Sequence, residues 1–206
     1  MLVKICGITN LEDARVAIEA GAQALGFNFW PHSRRYILPT AAKAIIAELQ
    51  TEILRVGVFV NELSPATVRE IADAAGINAL QLHGDESPEY CATLADRYVI
   101  KTLGVGANFN PRRALDYKVN ALMLDAADAD RRGGTGRIFD WSIARQTRAL
   151  APALFLAGGL SPENVAAAIS FVHPYAVDAC SALEISPGKK DSEKVRAFIA
   201  AALAAE

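Results

Sequence analysis

Cys6 and Asp125 are the two residues whose types and positions best suit proton transfer. Cys6 ends the apolar run Leu2–Cys6, and Asp125 ends the apolar run Ala121–Asp125. A thiolate can act as a general base and a protonated carboxyl as a general acid, if their surroundings shift the pKa values from about 8.5 and about 3.9. A small buried cysteine can equally fill a core, and an aspartate at a strand end can equally cap a turn. The pair therefore predicts an acid–base site only if the fold brings the two side chains together.

Glycines near the end of the chain predict an anion site. The segment Ala157–Pro162 follows the predicted seventh strand, and Ala179–Ala182 follows the eighth. Backbone N–H groups at a helix start bind phosphate, and the loops after strands seven and eight form the usual phosphate site of a (β/α)8 barrel. A further glycine-rich segment, Gly133–Gly136, is either a loop that closes over a ligand or an ordinary surface loop.

Three other charged positions lie near predicted strand ends. Arg34 or Arg35, after the second strand, could hold a carboxylate with two hydrogen bonds, while at least one of them fits a solvated surface arginine. His83 follows the fourth strand and is either a ligand-facing imidazole or a hydrogen-bonded core histidine. Strands one and eight are neighbours in a closed barrel, so we predict that Asp178 pairs with the inward-facing Lys4, whose ammonium would be costly to bury alone.

These side chains are positioned by a repeated unit of one short apolar run, one polar turn and one amphipathic stretch. Eight such runs in 206 residues leave about 26 residues per unit, which suits βα repeats with parallel strands. Closure into a single-domain α/β (β/α)8 TIM barrel over residues 1–206 is favoured over an open doubly wound sheet. The predicted strands are Leu2–Cys6, Ala24–Phe29, Arg55–Val60, Ala79–His83, Val99–Leu103, Ala121–Asp125, Ala153–Ala157 and Ala176–Asp178.

Several helix starts are also predicted from the sequence. Thr9 with Glu12 has the pattern of a capping box, in which a hydroxyl and a carboxylate satisfy free N–H groups of the first turn. Three serines precede a proline that suits the first helical position. They are Ser64, Ser87 and Ser161.

The composition excludes several classes of function. The hydrophobic fraction of 52% supports a large core, and the net charge of −2 without a basic stripe argues against nucleic-acid binding. Three cysteines without C-x-x-C spacing predict neither a disulfide framework nor a zinc site. The amino terminus enters a strand without a signal-peptide pattern, and no run reaches the ~20 apolar residues of a membrane span. We therefore expect a cytoplasmic protein that contacts no membrane.

Nine short motifs follow one another from end to end of the chain. They are Lys4–Thr9, Gly26–Phe29, Val56–Asn61, Leu80–Gly84, Leu124–Asp125, Gly133–Gly136, Phe139–Trp141, Leu156–Leu160 and Pro187–Asp191. In this order they resemble the phosphoribosylanthranilate isomerase family, for which the opening K-x-C-G-I-T and the later L-A-G-G-L are together highly specific. The resemblance implies an Amadori rearrangement of N-(5′-phosphoribosyl)anthranilate in tryptophan biosynthesis, without metal or organic cofactor.

The resemblance also implies roles for individual residues. Cys6 corresponds to the general base and Asp125 to the general acid. Arg35 corresponds to the arginine near the anthranilate carboxylate, and His83 and Asp178 are expected to face the substrate. The expected phosphate-binding residues are Gly134, Thr135, Gly136, Gly158, Gly159, Ser181 and Ala182.

The chain departs from the family pattern in two segments. Ser33–Arg35 reads Ser-Arg-Arg where the family usually has Ser-Pro-Arg, which keeps the second arginine, and the run Val177–Glu184 differs at two positions. Cys180 stands where the family usually has serine, and Ala182 stands where it usually has glycine. An alanine at a position requiring positive φ would be strained, and the lost hydroxyl removes one possible phosphate donor. The run therefore predicts retained chemistry with weaker substrate binding.

Two rival interpretations remain at this stage. The histidine-pathway aminosugar isomerase runs the same rearrangement with aspartates as both acid and base, which Cys6 disfavours. A catalytically inactive phosphosugar-binding barrel is suggested by the altered segment Ala179–Ala182. In either case the partner is a small phosphorylated molecule, and assembly as a monomer or a homodimer is left open.

Overall fold

Eight parallel strands close into a barrel in the order of the chain, β1 to β8, in a computed structural model that describes residues 1–49, 51–126 and 139–205. This confirms the predicted eight-stranded barrel, and the predicted strand ends agree to within two residues. The strands are β1 Leu2–Cys6, β2 Ala24–Asn28, β3 Leu54–Phe59, β4 Ala79–Leu82, β5 Tyr98–Val105, β6 Ala121–Ala126, β7 Leu154–Leu156 and β8 Ala176–Ala179. Glu184–Ser186 (β9) and Lys189–Lys190 (β10) form a small antiparallel pair beyond the barrel.

Helices connect the strands and cover the outside of the barrel. They are α1 Leu11–Glu19, α2 Pro39–Glu48, α3 Pro65–Ala75, α4 Pro88–Thr93, α5 Trp141–Arg148, α6 Val165–Val172 and α7 Ser192–Ala204. Between β5 and β6 the connection is a 3₁₀ helix, Pro111–Asp116, in place of an α-helix. No helix in the three described ranges is long and apolar enough to cross a bilayer.

Two of the three serine caps are confirmed. Ser64 and Ser87 each accept a hydrogen bond from the backbone N–H three residues further on. The predicted cap at Ser161 is wrong, because α6 begins at Val165 with Asn164 before it. The side chain of Asn164 instead accepts a hydrogen bond from the backbone N–H of Ser161, so these residues form a turn before the helix.

The predicted capping box at Thr9 is also wrong. Asn10 caps α1, and its side-chain oxygen accepts a hydrogen bond from the backbone N–H of Asp13 at 2.9 Å. The hydroxyl of Thr9 donates to the carbonyl of Gly188 in the turn between β9 and β10. A tertiary contact thus uses the group that the local pattern assigned to the helix.

Alternation along the strands separates two layers of core. Val3 and Ile5 point outward into the layer between strands and helices, as predicted. Lys4 and Cys6 point into the barrel, where the middle is filled by apolar side chains such as Met123. Cys6, the last residue of β1, therefore faces the carboxyl-terminal mouth of the barrel, with Lys4 below it.

Candidate active site

One cavity opens at the carboxyl-terminal end of the barrel and brings Cys6 and Asp125 together. This is the juxtaposition that the acid–base prediction requires. Six of the eight strands, or the loops that follow them, contribute to its wall. The lining residues are Cys6, Gly7, Asn28, Ser33, Arg35, Val58, Val60, Gln81, His83, Asp125, Asp178 and Cys180.

Cys6 ends β1 in surroundings that favour a thiolate. A hydrogen bond from the thiol of Cys180 lowers the pKa of Cys6 well below its ordinary value, and the positive charges of Lys4 and Lys190 lower it further. Burial acts in the opposite direction but is outweighed. The side chain that the sequence suggested as a base is therefore poised to be deprotonated.

The predicted pairing of Lys4 with Asp178 is confirmed. The ammonium of Lys4 lies 2.6 Å from a carboxylate oxygen of Asp178, and Lys4 is completely buried. Burial raises the pKa of Asp178 to about 6, although the charge of Lys4 acts to lower it. The pair places a positive charge directly beneath the thiol of Cys6.

Asp125 is the last inward-facing residue of β6, and two hydrogen-bond donors lie at its carboxylate. One oxygen accepts a hydrogen bond from the backbone N–H of Ala126 at 2.9 Å, and the other lies 3.3 Å from Nε2 of His83. The amide nitrogen of Gln81 lies 2.8 Å from Nδ1 of His83. The contact with Gln81 holds the imidazole so that Nε2 faces the carboxylate of Asp125.

The loop that follows His83 is held by a buried network. The carboxylate of Glu86 accepts hydrogen bonds from the backbone N–H groups of Gly84 at 2.9 Å and Asn61 at 2.7 Å. The ammonium of Lys101 lies 2.7 Å from the same carboxylate, and both side chains are almost fully buried. These contacts fix the end of β4 and with it the direction of the imidazole.

Arg35 reaches the cavity, but its guanidinium already holds a carboxylate of the protein. Its Nε and one terminal nitrogen donate to the two oxygens of Glu184 at 2.7 and 2.6 Å. Glu184 also lies 3.1 Å from the ammonium of Lys190. Arg34 is exposed, in agreement with a solvated surface arginine.

A second cavity adjoins the first and contains the described part of the predicted phosphate site. Its wall consists of Asp125, Ala157–Leu160 and Asp178–Ala182. Gly158 and Gly159 have positive φ, at 83° and 68°, and a Cβ on Gly158 would lie 2.7 Å from a backbone nitrogen of β6. Gly134, Thr135 and Gly136 lie outside the described residues.

The strain considered for Ala182 is absent. Among the described residues other than glycine, positive φ occurs at Asn61 and His173. Ala182 belongs instead to a short 3₁₀ helix, Ser181–Leu183. An alanine is compatible with the backbone at this position.

Sequence reasoning missed two residues that shape the site. The amide of Gln81 contacts the imidazole of His83, and the carboxylate of Glu184 binds the guanidinium of Arg35. Cys180 was considered only as a lost phosphate donor, although alternation places it on the same face as Asp178 and could have indicated its contact with Cys6. In the part of the chain that the structure describes, no group of three or more His, Cys, Asp or Glu side chains is arranged to hold a metal ion.

Comparison with known proteins gives one consistent family. The profile described as N-(5′-phosphoribosyl)anthranilate (PRA) isomerase matches residues 3–201. The N-(5′-phosphoribosyl)anthranilate isomerase of Thermotoga neapolitana is 50% identical over 198 residues, covering 96% of each chain.

Two solved structures have the same fold over almost the whole chain. One is a phosphoribosylanthranilate isomerase in complex with reduced 1-(o-carboxyphenylamino)-1-deoxyribulose 5-phosphate, with 44% identity and a TM-score of 0.89, covering 99% of this chain and 100% of the other. The second contains monomers generated from the dimeric enzyme of Thermotoga maritima, with 44% identity, a TM-score of 0.88 and the same coverage. The chain belongs to the phosphoribosylanthranilate isomerase family.

Proposed function

We propose that the protein catalyses the Amadori rearrangement of N-(5′-phosphoribosyl)anthranilate to 1-(2-carboxyphenylamino)-1-deoxyribulose 5-phosphate, a step of tryptophan biosynthesis. The observation that carries this proposal is the meeting of Cys6 and Asp125 in one cavity at the carboxyl-terminal end of the barrel. Family membership supports the substrate, since a relative at 44% identity binds a reduced form of the product.

Substrate binding begins with the phosphate group in this mechanism. The phosphate occupies the second cavity, against the backbone of Gly158, Gly159, Ser181 and Ala182. Positive φ at the two glycines lets the backbone approach an anion closely. The sugar then extends from this cavity toward the first, because Asp125 and Asp178 line both.

Two proton transfers follow at opposite sides of the sugar. Asp125 protonates the ribose ring oxygen, the ring C–O bond breaks, and the anilinic nitrogen supplies the electrons that form a Schiff base. The thiolate of Cys6 then removes the C2′ proton to give an enolamine, which tautomerises to the ketone. Each positioned proton transfer is typically worth about 10²–10⁴ in rate.

Neighbouring residues position each of these groups. The lowered pKa of Cys6 keeps a thiolate available as base. His83 orients the carboxyl of Asp125 through Nε2, and Asp178 faces the substrate from above Lys4. Arg35 uses two of its five N–H donors for Glu184, so three are left for the anthranilate carboxylate.

The reaction is tested by following the loss of fluorescence of N-(5′-phosphoribosyl)anthranilate. We expect Cys6→Ala and Asp125→Asn each to lower kcat by about 10²–10⁴. Cys91→Ala is the matched control, because Cys91 is a buried thiol on α4 outside both cavities. Full activity of Cys6→Ala would refute the base, and substrate binding without turnover by the unaltered protein would indicate a phosphosugar-binding barrel.

Residues 1–206 form one functional unit in this proposal, since a single closed barrel takes its strands from Leu2 through Ala179. Its three cysteines are free thiols, which fits an activity in the reducing cytoplasm. The unit acts as a monomer or a homodimer. Sedimentation of the protein across a range of concentrations distinguishes these two forms.

A further inference from the structure

We infer that Cys6 and Cys180 are a redox pair, which a hydroperoxide converts into a disulfide that blocks the active site. The blocking of activity rests on the proposed role of Cys6 as the base, whereas formation of the bond depends only on the geometry of the two thiols.

The register of the barrel places the two cysteines side by side. β1 and β8 pair in parallel with Lys4 opposite Asp178 and Ile5 opposite Ala179. Cys6 and Cys180 are the residues that follow this last pair: Cys6 ends β1, and Cys180 comes directly after β8. Adjacent strands lie about 4.7–4.9 Å apart, within the roughly 4.4–6.8 Å between Cα atoms that a disulfide spans.

Both side chains point to the same space. Cys6 and Cys180 line the cavity at the barrel mouth, so a small oxidant has access to them. The sulfur of Cys180 packs against the backbone of Gly7, where an added Cβ would lie 2.9 Å from it. The two thiols share a hydrogen bond that lowers the pKa of Cys6 and raises that of Cys180.

Positive charge around the pair favours attack by a thiolate. The ammonium of Lys190 lies 3.8 Å from the sulfur of Cys180, and Lys4 lies beneath Cys6. Cys91 differs in each respect. It is buried on α4 on the outer side of the barrel, and burial raises its pKa to about 11. Thiolate character and access thus single out the pair among the three cysteines.

The chemistry balances with a hydroperoxide as the oxidant. The thiolate of Cys6 attacks the terminal peroxide oxygen, the O–O bond breaks, and the leaving oxygen takes a proton to become water or an alcohol. Cys180 then attacks the sulfur of the resulting sulfenic acid. The S–S bond forms, the S–O bond breaks, and the proton of Cys180 leaves with the hydroxide as water. Two thiols lose two electrons and one peroxide gains them.

The experiment treats the reduced full-length protein with hydrogen peroxide, blocks the remaining thiols in denaturant and digests it with trypsin without reductant. We expect a disulfide-linked pair of peptides, residues 5–15 and 149–189, with free thiols falling from three to one. Activity should fall as the link appears and return with dithiothreitol.

Cys180→Ser is the matched control, because it keeps a hydrogen-bond donor but cannot form the bond. Its activity is compared with its own untreated sample. Under the same peroxide we expect no linked peptides, conversion of Cys6 to sulfinic acid, and loss of activity that dithiothreitol does not reverse.

Two results have distinct meanings. If peroxide oxidises Cys6 of the unaltered protein to sulfinic acid and no linked peptides form, the redox pair is refuted. Linked peptides with undiminished activity would support the pair and refute the role of Cys6 as the base.

Discussion

Replacing Lys4 by methionine tests the buried ion pair under the active site. The ammonium of Lys4 is completely buried and lies 2.6 Å from Asp178. Methionine keeps most of the side-chain length but leaves the carboxylate of Asp178 without its partner. Removing one member of a buried pair typically costs about 3–5 kcal/mol, because the remaining charge is buried uncompensated. We expect the free energy of unfolding in urea at neutral pH to fall by that amount.

The loss should depend on pH in a defined direction. Burial raises the pKa of Asp178 to about 6 while Lys4 opposes the rise, so losing Lys4 raises the pKa further. A carboxyl with a higher pKa in the folded than in the unfolded state favours folding when it is protonated. The deficit of Lys4→Met should therefore be largest at neutral pH and should shrink as the pH falls toward about 6, where Asp178 of the unaltered protein becomes protonated as well.

Lys101→Met is the control for this prediction. Lys101 is equally buried and lies 2.7 Å from Glu86, but it is on the outer face of β5. We expect a similar loss of stability from it, whereas only Lys4→Met should also slow the alkylation of Cys6 by iodoacetamide. A Lys4→Met protein within about 1 kcal/mol of the unaltered protein at neutral pH, or a deficit that grows on acidification, would refute the reasoning.

Three further substitutions have expected outcomes. Cys180→Ala removes a hydrogen bond to the thiolate of Cys6, which is worth about 1.5 kcal/mol. Iodoacetamide should therefore modify Cys6 about tenfold more slowly at acidic pH. Cys180→Ser keeps the donor and should keep the rate. Equal rates for the alanine variant would contradict this. Ser64→Ala removes a helix cap and should lower the free energy of unfolding by about 1 kcal/mol in urea, whereas Ser161→Ala should change it little. Gly158→Ala adds a Cβ at a position of positive φ, 2.7 Å from a backbone nitrogen of β6. The KM for the phosphorylated substrate should therefore rise more than kcat falls. An unchanged KM would argue against phosphate binding at this position.

The sequence by itself determined the barrel and the direction of its side chains. Alternation along Leu2–Cys6 placed Lys4 and Cys6 inside, and closure of eight strands predicted the partner of Lys4 on β8. These features follow from a period of two residues and from the chain order, which are local properties. The caps at Ser64 and Ser87 are local in the same sense.

Only the tertiary structure decided the contacts between distant side chains at the barrel mouth. Arg35 and Glu184 are separated by 149 residues, and the register of β1 against β8 brings Cys180 to Cys6. The hydroxyl of Thr9 donates a hydrogen bond to the carbonyl of Gly188 instead of capping α1. Local patterns are silent on such contacts, because a polar side chain bonds to whichever partner the closed barrel brings within reach.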